Sequence, residues 1–462
     1  MVASLIPGKT DLEKMDADSL WHSLVQHKPF SKKPPKCMAK GVGCHVTDKD
    51  GVEYFDGVSG LWCVNVGYGR QELAEVAYEQ MVDLAYFPLT TMSHEPGIRL
   101  AHKLLELLGY EGKVFFSTSG SEANETAFKI ARQYHAQTAP TGAGPRYKII
   151  SRYRGYHGHT MGALSATAQA ERKLKYEPLV PGFLHVSPPY YYRFGDEQPE
   201  DVYNRFCLRE LEQTIRYEGA ESVAAVIVEP IISGGGVIVP PEGYLRGVRE
   251  ICDRTGILLI YDEVVNGFGR TGKMFGHQHW GVEPDIITFA KGLTSGYMPL
   301  SATVVKQHIF EAFLDEPGTN SHFRHITTYG GSPVCTAVGL RSIEILERER
   351  LSERAAEMGE YLLGKLQHLW DHPNVGDVRG KGLLLGVELV KDKVSKTPLD
   401  NDIVASVPSY CMKHQIIIGR NTNTIPGFTN VLIMAPPLII TREEADRLAD
   451  TVCEAILAIP SS

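Results

Sequence analysis

The chain has 462 residues, 43% of them hydrophobic and 22% charged, and a formal net charge of -8. Such a balance excludes disordered and fibrous chains, and the length calls for more than one core, since domains commonly hold about 100 to 200 residues. The negative charge and the absence of a dense Lys/Arg cluster argue against nucleic acid as a partner.

In chain order, the opening MVASLIPGKTDLEKMDADSLWHSL lacks the basic and apolar regions of a secretion signal, and carries one early helix signal. The alternation in CHVTDKDGVEYFDGVSG, turning at Asp50-Gly51, predicts a β-hairpin. From about 66 to 330 the apolar runs VFFS, YKIISR, SVAAVIVEP, ILLIYDEV and DIITFAKG alternate with helical periodicity, the pattern of a mostly parallel sheet. Beyond Gly330 come a long amphipathic segment to about 370, a strand pair around NVGDVRGKGLLLGVELV and a last helix in TREEADRLADTVCEAILAI. The expected fold class is therefore α/β. Residues 1–65 and 331–462 form the two parts of a smaller α+β domain, and 66–330 form a large domain. No uncharged apolar run approaches the roughly 20 residues that span a bilayer, so no membrane is expected. Eight cysteines are scattered with no C-x-x-C pair, which predicts neither a disulfide framework nor structural zinc and a cytoplasmic location.

Open parallel sheets gather ligands at the carboxyl ends of their strands. Three apolar runs end there in ionisable residues: Glu229, the pair Asp262 and Glu263, and Lys291. A partly buried lysine is readily deprotonated and then attacks carbonyls. The segment Ser119-Gly120-Ser121 ends a strand and opens a helix, where backbone N–H groups and the helix dipole favour a phosphate. In the loop Tyr153–Gly158 either Tyr156 or His157 could lie against a planar ring. An imine-forming lysine, an acid for a pyridinium nitrogen, a stacking ring and a phosphate seat are together what pyridoxal phosphate requires.

These residues stand in a series of motifs: SGSEANE at 119–125, YHG at 156–158, VEP at 228–230, YDEVVNGFGRTGKMF at 261–275, PDIITFAKGL at 284–293, TYGGSP at 328–333, RGKGL at 379–383 and APP at 435–437. The series resembles the class III (ω-amino acid) aminotransferases, of the aspartate aminotransferase-like pyridoxal-phosphate fold type I, over nearly the whole chain. The resemblance implies that Lys291 holds the cofactor as a Schiff base and shuttles a proton. It implies that Gly120 and Ser121 bind the phosphate, that Tyr156 and Val264 pack on the two ring faces, with His157 beside them, and that Asp262 pairs with the pyridine nitrogen. Glu229 is implied to support that end, and Thr328 to reach the phosphate of a neighbouring subunit, which makes a homodimer, or a tetramer built from it, with shared sites.

The stretch LWCVNVGYG at 61–69 resembles the branch acting on ω-amines, β-alanine or taurine with pyruvate as acceptor in a ping-pong cycle. Within that branch Trp62 and Tyr156 wall the substrate pocket, and Arg420, in IIIGRNTN, binds the acceptor carboxylate. A guanidinium suits that bidentate task. Aminomutases, racemases, decarboxylases and 2-oxoglutarate-dependent class III enzymes share the architecture and are the alternatives. The near P-loop GFGRTGKM at 267–274 fails because Met274 stands where Mg²⁺ needs a hydroxyl. The pairs His157/His159 and His277/His279 lack convergent acids or cysteines, and no metal is expected.

Overall fold

A computed structural model describes residues 9–30 and 35–459. Among them seven strands form the central sheet, in the order Gly112–Ser117, Ser301–Lys306, Ile286–Phe289, Leu258–Asp262, Val223–Val228, Lys148–Arg152, Phe183–Val186. All run the same way except Ser301–Lys306, which is antiparallel to both its neighbours. Every residue of Val223–Val228, Leu258–Asp262 and Ile286–Phe289 is buried. Sheets covered on both faces produce such continuous apolar runs instead of alternation. Two strands of the sheet, Phe183–Val186 and Ser301–Lys306, are not among the runs read from the sequence.

The helix Gly120–Thr138 follows the first of these strands and is closed by a capping box, with Glu122 N–H donating to Ser119 Oγ and Ser119 N–H to Glu122 Oε2. Thr303 Oγ1 donates to Ala123 O at 2.8 Å and holds the first turn on the sheet. The helix N-terminus thus faces the carboxyl edge, where the chemistry-bearing residues emerge.

A second sheet pairs Met38–Val42, His45–Asp48 and Glu53–Asp56 antiparallel, and adds Ile416–Ile417 parallel to Glu53–Asp56, so early and late segments share one layer. The expected hairpin is present: Asp48 Oδ1 accepts from the N–H groups of Asp50 and Val52, and Gly51 takes φ +83°. Val375–Lys381, Leu384–Leu389, Val431–Met434 and Gly419–Arg420 form a third sheet. The amphipathic segment after Gly330 is two helices, Pro333–Arg348 and Leu351–Gln367, separated where Arg350 adopts φ +51°. Neither glycine nor proline marks that break, which is why the apolar periodicity reads through it.

Arg270, the arginine of the P-loop lookalike, is fully buried and ties four segments together. Nη1 donates to Leu383 O and Pro436 O, and Nη2 to Ser59 Oγ and Asn65 Oδ1, at 2.6 to 3.1 Å. Burial pulls its pKa down to about 10. Lys273, by contrast, is exposed and bonds Gln278 O. Arg270→Met leaves these acceptors unsatisfied in the interior, and is expected to cost about 2–4 kcal/mol of unfolding free energy. Urea denaturation checks this; a loss below about 0.5 kcal/mol would show that other donors take over.

Candidate active site

The carboxyl ends of the parallel strands border a cavity of about 350 Å³. Lys291, Asp262, Glu229, Tyr156, Trp62 and the Ser119–Ser121 turn all line it, so residues scattered over nearly half the chain meet there.

Lys291 follows Ile286–Phe289 by two residues and takes φ +45°. Its neighbour Gly292 is required by close approach: a Cβ there would lie 2.5 Å from Asn65 Nδ2 and 3.0 Å from Phe268 Cβ. The Lys291 ammonium lies 5.0 Å from the centre of the Trp62 ring. Burial lowers its pKa, against the opposing pull of Cys63, Asp262 and Glu229. Trp62 is held in place by a left-handed turn, with φ +50°, +65° and +58° at Ser59, Gly60 and Trp62, and by the bond from Ser59 Oγ to Ala435 O.

Asp262 ends its strand inside a closed set of donors. Its Oδ2 accepts from Asn124 Nδ2 at 2.8 Å and from His157 Nδ1 at 2.9 Å, and Oδ1 accepts from Val264 N–H at 3.1 Å. A carboxylate only accepts, so His157 Nδ1 carries the proton. Asn124 also donates to His157 O and accepts from Thr288 Oγ1, each within 2.8 Å, which sets its amide orientation. With Oδ2 used twice, Oδ1 is the oxygen with capacity left for a ligand.

Glu229 accepts from Tyr156 N–H through Oε1 and from Ser233 N–H through Oε2, and burial raises its pKa. It therefore braces the backbone of the loop that carries Tyr156. Both candidate rings border the cavity, but His157 is buried and committed to Asp262, whereas the Tyr156 side chain is only half-buried. At the helix mouth the capping box uses the N–H groups of Ser119 and Glu122, and Ala123 N–H bonds Ser119 O. Gly120 and Ser121 keep theirs for an anion. A Cβ on Gly120 would press on Val264 Cγ2 at 3.0 Å, so the turn accommodates Val264 because residue 120 is glycine. Ser121 Oγ accepts from His159 N–H at 3.1 Å and lies 3.0 Å from His159 Nδ1.

Two residues named from the sequence stand apart from the cavity lining of this chain. Thr328 is exposed, its carbonyl accepting from Tyr86 OH at 2.8 Å. Arg420 donates from Nη1 to Asn401 O and Asn401 Oδ1 at 3.1 and 3.0 Å. Glu263, next to Asp262, is structural: it accepts from the N–H groups of Gly276 and His277 and pairs with His277 Nδ1 at 2.9 Å. His279 bonds Thr271 O.

The cavity also contains residues to which sequence reasoning assigned no role: Asn124, His159, Arg172 and Leu24. Asn124 stood within the quoted SGSEANE, where an amide four residues after the helix start was its signal; Arg172 has no local signal. The set as a whole offers an anion seat at a helix N-terminus, a carboxylate with a free lone pair, an aromatic wall and a half-buried amine. Those are the contacts of a phosphorylated pyridine aldehyde, and the residues present fit pyridoxal phosphate.

Comparison with known proteins agrees. The family model for aminotransferase class-III matches residues 28–456. The chain is 52% identical over 448 residues to the uncharacterized aminotransferase YhxA of Bacillus subtilis, covering 97% of each. It is 42% identical over 456 residues to the taurine--pyruvate aminotransferase of Bilophila wadsworthia, covering 98% of each. The crystal structure of a thermostable (S)-enantioselective omega-transaminase from Thermomicrobium roseum superposes with a TM-score of 0.92 at 42% identity, covering 98% of this chain and 99% of that one. With the fold, the cavity and these relatives in agreement, the chain belongs to the class III aminotransferases, pyridoxal-phosphate-dependent transferases of fold type I.

Proposed function

We propose that this protein moves an amino group from an ω-amine or ω-amino acid to pyruvate in two half-reactions of a ping-pong cycle. The observation that carries the reading is Lys291, half-buried and with a lowered pKa, in the same cavity as Asp262 and the open helix N-terminus. The name of the Bilophila wadsworthia relative supports pyruvate as acceptor.

Bound pyridoxal phosphate supplies an electron sink for the pair left when a substrate carbon loses its proton. The chain's own residues do the rest. Gly120 and Ser121 N–H would hold the phosphate, Tyr156 and Val264 would flank the ring, and Asp262 would keep a proton on the pyridine nitrogen. His157 and Asn124 orient that carboxylate, and Glu229 braces the Tyr156 loop. Lys291 Nζ would anchor the cofactor and, as a neutral amine, would take the proton from the substrate carbon bearing the nitrogen. Trp62 walls the substrate side. Thr328, exposed beside Tyr86, completes the phosphate site of a second copy, so the working unit is a homodimer. Eight unpaired thiols suit a reducing, cytoplasmic setting.

A donor panel of β-alanine, taurine, putrescine and 1-phenylethylamine with pyruvate tests the reading. Alanine should form in equal amount to donor consumed. Turnover with 2-oxoglutarate but not pyruvate would reassign the acceptor, and released CO₂ or an isomerised product without acceptor would sink the transfer itself.

A further inference from the structure

Arg172 stands on the short helix Ala170–Lys173 and lines the cavity that holds Lys291, Trp62 and Tyr156. Its guanidinium lies over the Tyr156 ring, 4.6 Å from the ring centre, and Nε donates to Gln169 Oε1 at 2.7 Å. Among the described residues no carboxylate forms an ion pair with it, and both Nη groups are left uncommitted. Burial disfavours its charge. A half-buried cation without a counter-ion is costly, and an incoming anion relieves that cost.

The position is firmly held. Gln169 is fully buried and donates to Arg154 O at 2.8 Å, Arg172 N–H bonds Gln169 O, and Glu171 N–H bonds Thr424 O at 3.1 Å. The loop that follows Arg420 in the chain therefore backs the helix that carries Arg172. Arg420 itself spends Nη1 on Asn401 and does not border the cavity.

We infer that Arg172, stacked on Tyr156 with its Nη groups free, seats the acid group of the substrate: the carboxylate of the keto acid, and the carboxylate or sulfonate of an acidic donor. The planar fork pairs with either group in two parallel hydrogen bonds. The inference rests on the transaminase reading and narrows it, placing the amine end at Lys291 and the acid end at Arg172. Arylalkyl amines, which carry no acid group, draw nothing from this contact.

The test uses the cofactor-loaded enzyme and two unreactive anions, propionate and ethanesulfonate, titrated by calorimetry. Arg172→Met should weaken both by about tenfold or more, and Arg172→Lys should recover part of the loss. In turnover, the ratio of kcat/KM for β-alanine to that for 1-phenylethylamine should fall by a similar factor in Arg172→Met. Unchanged anion binding in Arg172→Met would overturn the inference, as would a larger loss in Arg420→Met. Loss of the cofactor's visible band on dialysis of Arg172→Met would also overturn it, by assigning the arginine to the cofactor phosphate. If no amine alters that band in the unsubstituted enzyme while anion binding still depends on Arg172, the transaminase reading fails and the anion seat stands.

Discussion

Lys291→Ala is expected to lower kcat/KM by about 10³-fold or more and to release the cofactor on dialysis, with the fold intact by circular dichroism. Among the described residues lining the cavity it is the single amine. The described acids there, Asp262 and Glu229, are committed to N–H and side-chain donors, and His157 is locked on Asp262. Retention of more than a tenth of the activity would show that the proton moves through another group.

The same lysine has a signature in stability that requires no cofactor. Its pKa is lowered in the fold, so between that value and the ordinary 10.5 the unfolded chain binds more protons than the folded one. The cost of burying the ammonium is therefore greatest below the folded pKa and disappears as pH rises towards 10.5. Lys291→Met removes this cost. Urea denaturation of the two cofactor-free proteins at neutral pH and near the ordinary lysine pKa should show the variant's advantage shrinking as pH rises. An advantage that grows with pH would contradict the assigned direction.

Asp262→Asn is the second large effect, an expected loss of about 10²- to 10⁴-fold in kcat/KM with the cofactor still retained through Lys291. The side chain keeps its size, and an amide oxygen in the Oδ2 position still accepts from Asn124 and His157. The amide nitrogen then takes the Oδ1 position, facing the N–H of Val264 and unable to hold a proton on a pyridine nitrogen. The half-reaction with a good amine donor should therefore slow while binding persists, which single-turnover spectra resolve. Activity within tenfold of the parent would assign the proton-holding role elsewhere.

Lys291 and Asp262 were legible for a local reason. Each directly follows a run of buried apolar residues, and a strand end in an open parallel sheet is where ligands sit. The helix opening at Ser119–Ser121 was equally local, and the structure closes it with a capping box within four consecutive residues. Strand Ser301–Lys306 was not: SATVVK is short, and two hydroxyl side chains interrupt its apolar character, although Ser301 and Thr303 are both buried. The helix break at Arg350 was hidden because a left-handed arginine carries none of the usual glycine or proline signal.

The sequence by itself determined the layered α/β plan, the lysine and acid at its strand ends and the helix mouth between them, since hydrophobic period and capping act within a few residues. Only the tertiary structure decided how those parts are used. Asn124 orients Asp262 from 138 positions away and is itself oriented by Thr288 from 164 away, because the order of strands in the sheet makes their ends neighbours. Arg270, read locally as part of a failed nucleotide loop, is a buried staple because residues 59, 65, 383 and 436 converge on it. Arg172 faces the cavity, and Arg420 turns to Asn401, through contacts that no local spacing records: side-chain hydrogen bonds follow spatial neighbours, and chain folding chooses those.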